Sequence, residues 1–343
     1  MKAFWDPVQL AHAPRFFLQR GRIRDNYERP ARAEALLDGC RALGLEITAP
    51  PPAPRAALER VHPAAYLDYL RDGPAAWAAL DDSGPEIVAN IHPAPEMLAT
   101  GGRPSASIIA QAGWFSADAA CPVSAETWAA AESAAACALA AADEVLAGRD
   151  SYALARPPGH HAYPARAGGH CYLNNAAMAA EHLRAQGARR VAILDIDSHH
   201  GNGTQGIFWH PRRRAVRLAA WRPGRLLPMV CRPCDELGAG PGVGFNRNFP
   251  LARGTDDLAW LAALDTGLRT IERFGADALV VSLGFDASRD EPLHYLSVSA
   301  DGFARAGAAI GKLALPAAFI QEGGYNTDTL GPLLQTFLSA FSG

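Results

Sequence analysis

A short apolar run that ends abruptly in acidic and histidine residues constrains the fold of this chain most strongly. Residues 191–194 are all apolar, as expected for a central parallel strand covered on both faces. Residues 195–205 then bring two aspartates, two histidines and a Gly-Asn-Gly turn. Ligands of open α/β sheets bind at the carboxyl ends of the strands, so the run predicts a functional site there. A strand followed by an ordinary polar loop is the alternative interpretation.

The spacing within this run indicates a cation site. Asp197 and His199 lie two residues apart, so on an extended backbone their side chains leave the same face and can hold one cation. Asp195 shares that parity and could support the site as a hydrogen-bonding partner.

Predicted strands and helices alternate along the second half of the chain. After an Ala-rich helix at 124–146, capped by Ser124, strands are predicted at 152–155, 191–194, 278–283 and 317–320, with helices at 174–186, 256–274 and 300–313. This alternation predicts a mainly parallel sheet with right-handed crossovers, in one α/β domain over residues 1–343. Nearer the start, a helix at 62–70 is expected to close near Gly73, and residues 81–122 are expected to form a long insertion loop.

Four of the predicted strands end in residues suited to catalysis, and parallel strands place such ends on one edge. Among these residues, Asp197, His199 and Asp286 supply two carboxylates and one imidazole. This set suits a divalent metal and leaves coordination positions for water and substrate. Zinc in such an open site lowers the pKa of bound water and polarises a carbonyl.

A histidine pair and a tyrosine complete a hydrolytic set. His160 and His161 offer a general base and a general acid, and Asp195 and Asn202 are available to fix their tautomers. Tyr325 follows two glycines, on a turn from which its hydroxyl could reach a substrate oxygen that gains charge. Together these residues predict metal-assisted amide hydrolysis.

The bulk composition argues against several other classes of protein. The chain has 343 residues, of which 49% are hydrophobic, and its net charge of -3 gives no basic surface for nucleic acid. No apolar span reaches the roughly 18 residues of a membrane helix, and the first residues lack a signal-peptide core. Six scattered cysteines resemble cytosolic thiols. We therefore expect a cytoplasmic protein that binds neither nucleic acid nor membrane.

The catalytic motifs resemble those of the histone deacetylase superfamily. They lie, in order, at 156–161, 169–175, 195–205, 284–286 and 322–325. The resemblance implies an arginase-like, three-layer α/β fold with a mainly parallel central sheet. It also implies one Zn²⁺ per chain, held by Asp197, His199 and Asp286, and a structural K⁺.

The same resemblance implies a role for each remaining residue of the site. His160 is expected to be an electrostatic partner backed by Asp195. His161 is expected to be the general base and acid, backed by Asn202. Tyr325 is expected to polarise the substrate carbonyl.

Within the superfamily, the chain is similar to the class II branch and the bacterial acetylpolyamine amidohydrolases. The Gly-Asn-Gly turn, the Glu-Gly-Gly-Tyr ending and the 81–122 insertion carry this similarity. It implies a small cationic acetylated amine as substrate and a homodimer whose insertion narrows the mouth of the site. Glu28, Glu86 and Glu96 are candidates to meet a distal ammonium, although a solvated surface carboxylate is the simpler interpretation of each.

Three other functions remain open at this point. A protein acetyl-lysine deacetylase would share every catalytic residue and differ at the mouth of the site. An arginase-like ureohydrolase would need two metal ions. A non-catalytic zinc-binding relative would retain the pocket without turnover.

Several residues have a structural interpretation instead. His170 stands where the family has an aromatic tunnel wall, and the Cys231–Cys234 pair lacks the further ligands of a zinc ribbon. The remaining histidines without ligand-like spacing are expected to be surface or packed side chains: His62, His92, His182, His210 and His294.

Residues 211–235 depart from the family pattern. The family has a buried strand here that helps to bind the potassium ion, whereas this chain carries arginines at 212, 213, 214 and 217. Burying such a strand on both faces is costly, so we expect the strand to be missing or compromised. A compensated reading-frame slip and a genuine basic surface segment are the two explanations, and the segment bears on whether the chain is active.

Overall fold

Eight parallel strands form the central sheet of this protein. The structure is a computed structural model that describes residues 1–19, 21–209, 216–223, 236–292 and 295–343. Within these residues the strand order is β4-β1-β5-β10-β9-β6-β7-β8, and every neighbouring pair is parallel. The strands of this sheet are β1 Lys2–Phe4, β4 Glu46–Thr48, β5 Ser151–Ala153, β6 Val191–Asp195, β7 Val216–Pro223, β8 Asn246–Leu251, β9 Ala278–Leu283 and β10 Ala317–Gln321. The prediction of a mainly parallel sheet is confirmed.

Helices and one hairpin surround the sheet in the part of the chain that the structure describes. The hairpin consists of β2 Phe16–Gln19 and β3 Arg22–Asp25, which pair antiparallel. The helices are α1 Ala31–Ala42, α2 Arg55–Leu58, α3 Ala64–Ala78, α4 Pro95–Ala99, α5 Ile108–Trp114, α6 Thr127–Leu146, α7 Asn175–Ala185, α8 Asn202–Phe208, α9 Asp257–Phe274, α10 Ala300–Gly311 and α11 Thr327–Ser342.

Two hydrophobic cores, one on each face of the sheet, make the fold three-layered. Side chains alternate between the faces of a strand, and in β6 Val191 and Ile193 join one core whereas Ala192 and Leu194 join the other. The first core includes α3, α6 and α7, and the second includes α1, α9, α10 and α11. This is why the strand has no polar residue before its carboxyl end.

The register of the parallel strands brings four chain segments to one edge of the sheet. Asp195, the last residue of β6, pairs with Ser282 of β9. Gln321, the last residue of β10, pairs with Leu283, and Ile320 pairs with Ala153 of β5. The segments that follow β5, β6, β9 and β10 therefore begin side by side.

The expectation that residues 211–235 lack a strand is wrong for their middle part. Residues Val216–Pro223 form β7, which pairs with β6 and with β8. Parallel pairing uses backbone groups only, so the strand forms although Arg217 and Arg222 interrupt its apolar pattern. Arginines 212–214, the Cys231–Cys234 pair, His210 and His294 lie outside the described residues.

Two further predictions need correction. The expected loop at 81–122 contains α4 and α5 and a bridge between Ile87 and Val123. The helix that begins at Ala64 does not end at Gly73 but continues through Pro74 to Ala78. A Cβ at Gly73 would lie 3.3 Å from Ile108 Cδ1, so this glycine lets the insertion approach α3 closely and does not end the helix.

The helix caps also differ slightly from the prediction. The Ala-rich helix begins at Thr127, next to Glu126, and Ser124 lies outside it.

No helix in the described residues is long and apolar enough to cross a membrane.

We predict that the contact between α10 and α11 is sensitive to a single methyl group. A Cβ at Gly307 would clash with the backbone carbonyl oxygen of Phe337, whereas a Cβ at Gly267 of α9 would have no neighbour nearer than 3.7 Å. Gly307→Ala should lower Tm, because overpacking costs about 1–3 kcal/mol. Gly267→Ala is the matched control and should keep or raise Tm, since alanine favours a helix by about 1 kcal/mol. Equal Tm values for the two variants would contradict the close contact.

Candidate active site

The four segments at the sheet edge bring together every residue that the sequence predicted for the site. His160 and His161 follow β5, Asp197 and His199 follow β6, Asp286 follows β9, and Tyr325 follows β10. These side chains are almost completely removed from solvent, and the most exposed of them are His199 and Tyr325. The four segments therefore gather these side chains at one edge of the sheet.

Three of these residues form a candidate metal centre. One ligand atom from each of Asp197, His199 and Asp286 lies within 4.8 Å of the others. His199 Nδ1 is 2.6 Å from Asp286 Oδ2 and 3.3 Å from Asp197 Oδ1. The backbone amides of Ser198 and Gly323 donate to Asp286 Oδ1 and Asp197 Oδ2, at 2.8 Å each. The two carboxylates are thereby held in place from the side opposite His199.

The charges of this cluster fit a divalent cation. Burial alone would lower the pKa of His199, but the carboxylates of Asp286 and Asp197 outweigh it and raise that pKa to about 10. The cluster thus attracts positive charge strongly, and a proton on His199 occupies the place that a metal ion would take. Two carboxylates and one imidazole are suitable ligands for zinc and for several other divalent ions.

Glycines surround the candidate metal centre because no larger residue fits. A Cβ at Gly284 would collide with the Asp197 carboxylate. A Cβ at Gly323 would lie 2.6 Å from Asp197 Oδ2 and 2.9 Å from Asp286 Oδ2. The glycines of these two motifs therefore have a steric explanation.

The two histidines have different partners and opposite electrostatic environments. His160 Nδ1 lies 3.0 Å from Asp195 Oδ2, and His161 Nδ1 lies 2.5 Å from Asn202 Oδ1. Burial lowers the pKa of His160, but the Asp197 and Asp195 carboxylates outweigh it and hold that pKa well above its usual value. Burial and the neighbouring imidazoles hold the pKa of His161 well below its usual value. His160 is therefore favoured as a cation and His161 as a neutral base.

A second contact orients the amide partner of His161. Asn202 Nδ2 donates to the Tyr163 hydroxyl at 3.1 Å, so its oxygen faces the imidazole. Asn202 is the first residue of α8, and Gly203 allows this helix to touch the backbone of His161 and Ala162. Nothing in the spacing of the sequence points to Tyr163.

A buried arginine holds the turn that carries Tyr325. Arg32 donates from Nε to Gly324 O and from Nη2 to Glu322 O, each at 2.5 Å, and its guanidinium lies 4.8 Å from the centre of the Tyr325 ring. Glu322 itself accepts hydrogen bonds from the backbone amides of Gly159 and His160. The tyrosine turn and the histidine segment are thus tied to each other.

Glu28 is not the surface carboxylate that we expected. It is fully buried, and its Oε1 lies 2.8 Å from Arg32 Nη1 and 2.9 Å from Arg156 Nε. The arginines hold the pKa of Glu28 below its usual value against the opposing effect of burial. A carboxylate engaged in this way is a counter-ion for the arginines, and a contact of Glu28 with a substrate ammonium stays a prediction.

The other two candidate glutamates differ from each other. Glu86 is buried and accepts a hydrogen bond from the Arg15 amide at 2.8 Å, whereas Glu96 is exposed on α4. The surface interpretation therefore fails for Glu86, and a contact of either residue with substrate stays a prediction.

Aromatic rings line the approach to Tyr325. The His170 ring lies 5.4 Å from Phe17 and 6.1 Å from Tyr325, and Tyr27 lies 6.4 Å from Tyr325. His170 has a φ of +69°, an uncommon backbone conformation for a residue other than glycine. Its imidazole occupies the wall position expected from the sequence.

The histidines expected to lie outside the site do so where the structure describes them. His62 is buried, and its two ring nitrogens bond to Pro164 O and the Asn174 amide at 2.9 Å each. His182 pairs with Asp143, and His92 is exposed.

Comparisons with known proteins agree with this geometry. Residues 26–341 match the family described as Histone deacetylase domain. The chain is 42% identical to an acetylpolyamine amidohydrolase of Burkholderia pseudomallei, over 99% of this chain and 98% of the other. It is 40% identical to acetylpolyamine amidohydrolase 1 of Pseudomonas aeruginosa, over 94% and 93% of the two chains. A crystal structure of acetylpolyamine aminohydrolase from Burkholderia pseudomallei superposes with a TM-score of 0.94 at 41% identity, and it covers 100% of this chain and 99% of the other.

We predict that Asp286→Asn abolishes stoichiometric metal binding. The substitution keeps the shape of the side chain but removes one of two anionic ligands. The loss of metal affinity should exceed the roughly 10–100-fold loss that follows removal of a residue that only hydrogen-bonds to a metal ligand. Elemental analysis after dialysis measures the metal content. Asp290→Asn, on an exposed neighbour in the same loop, is the control and should retain the metal. Equal metal content in both variants would contradict the assignment.

Proposed function

The chain belongs to the histone deacetylase family, and we propose that it is a zinc-dependent amidohydrolase that releases acetate from small acetylpolyamines. The observation that carries the proposal is the gathering of a three-ligand metal centre, a histidine pair of opposite charge preference and a tyrosine hydroxyl at one edge of the sheet. Relatives that share about two fifths of the sequence over almost their full length are named acetylpolyamine amidohydrolases.

In this proposal His161 transfers the proton from water to the leaving amine. A zinc ion held by Asp197, His199 and Asp286 would acidify a water molecule and polarise the substrate carbonyl. The neutral imidazole of His161 takes the proton from water through Nε2 while Asn202 holds Nδ1–H. A bond forms between the water oxygen and the carbonyl carbon. The carbon–nitrogen bond then breaks as His161 passes the proton to the leaving amine.

Two further residues stabilise the charge that develops during this reaction. The Tyr325 hydroxyl donates to the carbonyl oxygen as that oxygen becomes negative. The imidazolium of His160, held by Asp195, offsets negative charge without exchanging its proton. Burial limits screening by water, so both interactions are stronger than they would be at the surface.

The insertion supports a slender cationic substrate. Its last residues bond directly to the wall of the site, from Ala117 N to Ala167 O at 2.7 Å and from Gly169 N to Asp118 Oδ2 at 3.0 Å. In the described part of the chain, the half-buried Asp118 has no Lys or Arg within ion-pair distance. We propose that this carboxylate, beside the aromatic wall, favours an ammonium on the substrate.

A comparison of two substrates tests the proposed specificity. We expect kcat/KM for acetylputrescine to exceed that for an acetyl-lysine peptide, because the putrescine amine can reach Asp118 without the bulk of a peptide backbone.

Tyr325→Phe should lower kcat for acetylputrescine by about 10²–10³-fold, the range for loss of one donor to an oxyanion. Tyr69→Phe, on α3, removes a hydroxyl outside the site and should keep kcat. A preference for the peptide would identify a protein deacetylase, and no turnover of any acetylamide by zinc-loaded protein would overturn the proposed function.

We also propose that the insertion joins two copies of the chain. Several of its apolar side chains are exposed, with Ile91 at 63% and Met97 at 57% of their surface in solvent. Exposed apolar residues grouped in one segment are typical of an interaction surface. A second copy is the occupant implied by the resemblance to the acetylpolyamine amidohydrolases.

Mass measurement in solution tests this dimer. We expect twice the 36.3 kDa mass of one chain, and expect Met97→Asp to shift the population toward monomer. Leu258→Asp places the same charge on another exposed apolar residue, in α9, and should leave the dimer intact. A strict monomer at assay concentrations would overturn the proposal.

A further inference from the structure

The tyrosine turn needs a support that its own sequence does not supply. Two consecutive glycines, Gly323 and Gly324, precede Tyr325, and Gly324 has a φ of +119°. Such a backbone is intrinsically free to move, because glycine has no Cβ to restrict it. A phenol that has to meet one oxygen atom requires that freedom to be removed.

One carboxylate holds the backbone of this turn on the side of Tyr325 itself. Glu291 Oε1 accepts hydrogen bonds from the amides of Tyr325 and Asn326, at 2.9 and 3.0 Å, and Oε2 lies 3.0 Å from the same Tyr325 amide. Glu291 is 3% exposed, so these bonds are protected from competition with water. A single side chain therefore restrains two consecutive backbone amides.

The same short loop carries a candidate metal ligand and this carboxylate. Glu291 lies five residues after Asp286, and the loop between them is tightened by a bond from Ser288 N to Phe285 O at 3.1 Å. Its other side is tied to Val298, whose amide donates to Ala287 O at 3.0 Å. A rigid loop of this kind sets the separation between the Asp286 carboxylate and the backbone of Tyr325.

We propose that Glu291 is a positioning residue that fixes the Tyr325 hydroxyl relative to the metal centre. It touches neither substrate nor metal and acts only through the amides of Tyr325 and Asn326. Arg32 holds the carbonyls that precede the tyrosine, and Glu291 holds the amides at and after it. The turn is thus clamped from both sides, and loss of Glu291 should displace the phenol without removing it.

This inference rests on the proposed function, and a double-mutant cycle separates the two. Glu291→Ala, Tyr325→Phe and the combined variant are assayed with acetylputrescine, together with metal content and Tm. We expect Glu291→Ala to lower kcat by about 10–100-fold with KM little changed, as a misplaced catalytic group does. In the Tyr325→Phe background the same substitution should lower kcat less than about 2-fold, because the hydroxyl that it positions is already absent.

Glu291→Gln and Glu272→Ala sharpen the test. Glutamine keeps one oxygen that can accept hydrogen bonds from both amides. The kcat of Glu291→Gln should therefore be close to that of the wild type and well above that of Glu291→Ala. Glu272→Ala, on an exposed residue of α9, should retain wild-type kcat. Glu291→Ala should change Tm by the same amount in the wild-type protein and in Tyr325→Phe.

Two results would overturn the inference. An equal loss of kcat with and without the Tyr325 hydroxyl would show that Glu291 acts elsewhere, and loss of bound metal would place its effect at Asp286. Inactivity of the wild-type enzyme on every acetylamide would instead refute the proposed function.

Discussion

Two carboxylates buried side by side are the constraint on which the rest of this structure depends. Asp197 and Asp286 are at most 1% exposed, and removing such charges from water costs several kcal/mol each unless they are paired. His199 and the amides of Ser198 and Gly323 supply part of the compensation. The divalent cation proposed for this site would supply the remainder, which would link metal binding to the stability of this sheet edge.

The same carboxylates make the two neighbouring histidines unequal. His160 lies 3.8 Å from Asp197 as well as 3.0 Å from Asp195, whereas His161 Nδ1 bonds to the neutral amide of Asn202. Two imidazoles whose centres are 4.1 Å apart would repel if both were charged, so protonation of one disfavours protonation of the other. A cationic and a neutral imidazole can therefore be set apart by their partners alone, without any difference in residue type.

The fold and the central residues of the site could be predicted because both follow from local patterns. The alternation of strands with helices predicted the parallel sheet, and a parallel sheet places its carboxyl ends together whatever the length of the connections. Burial that depends on distant partners could not be predicted. Glu28 is an interior ion paired with the nearby Arg32 and also with Arg156, far along the chain. Glu291 lies in the loop after β9 but belongs to no metal-ligand spacing, and the role proposed for it depends on its bonds to Tyr325 and Asn326.

The insertion contacts the wall of the site through its last residues, by backbone bonds and by the Asp118 carboxylate. Phe115 O and Ala117 N bond to Ala167, in the manner of a short added strand, while the four strand ends that carry the chemistry receive no residue from it. Changes in the length or composition of 81–114 can therefore remodel the entrance and leave the reaction centre unaltered. Because this segment and the four strand ends are separate stretches of chain, substitutions in 81–114 replace no residue of the candidate site.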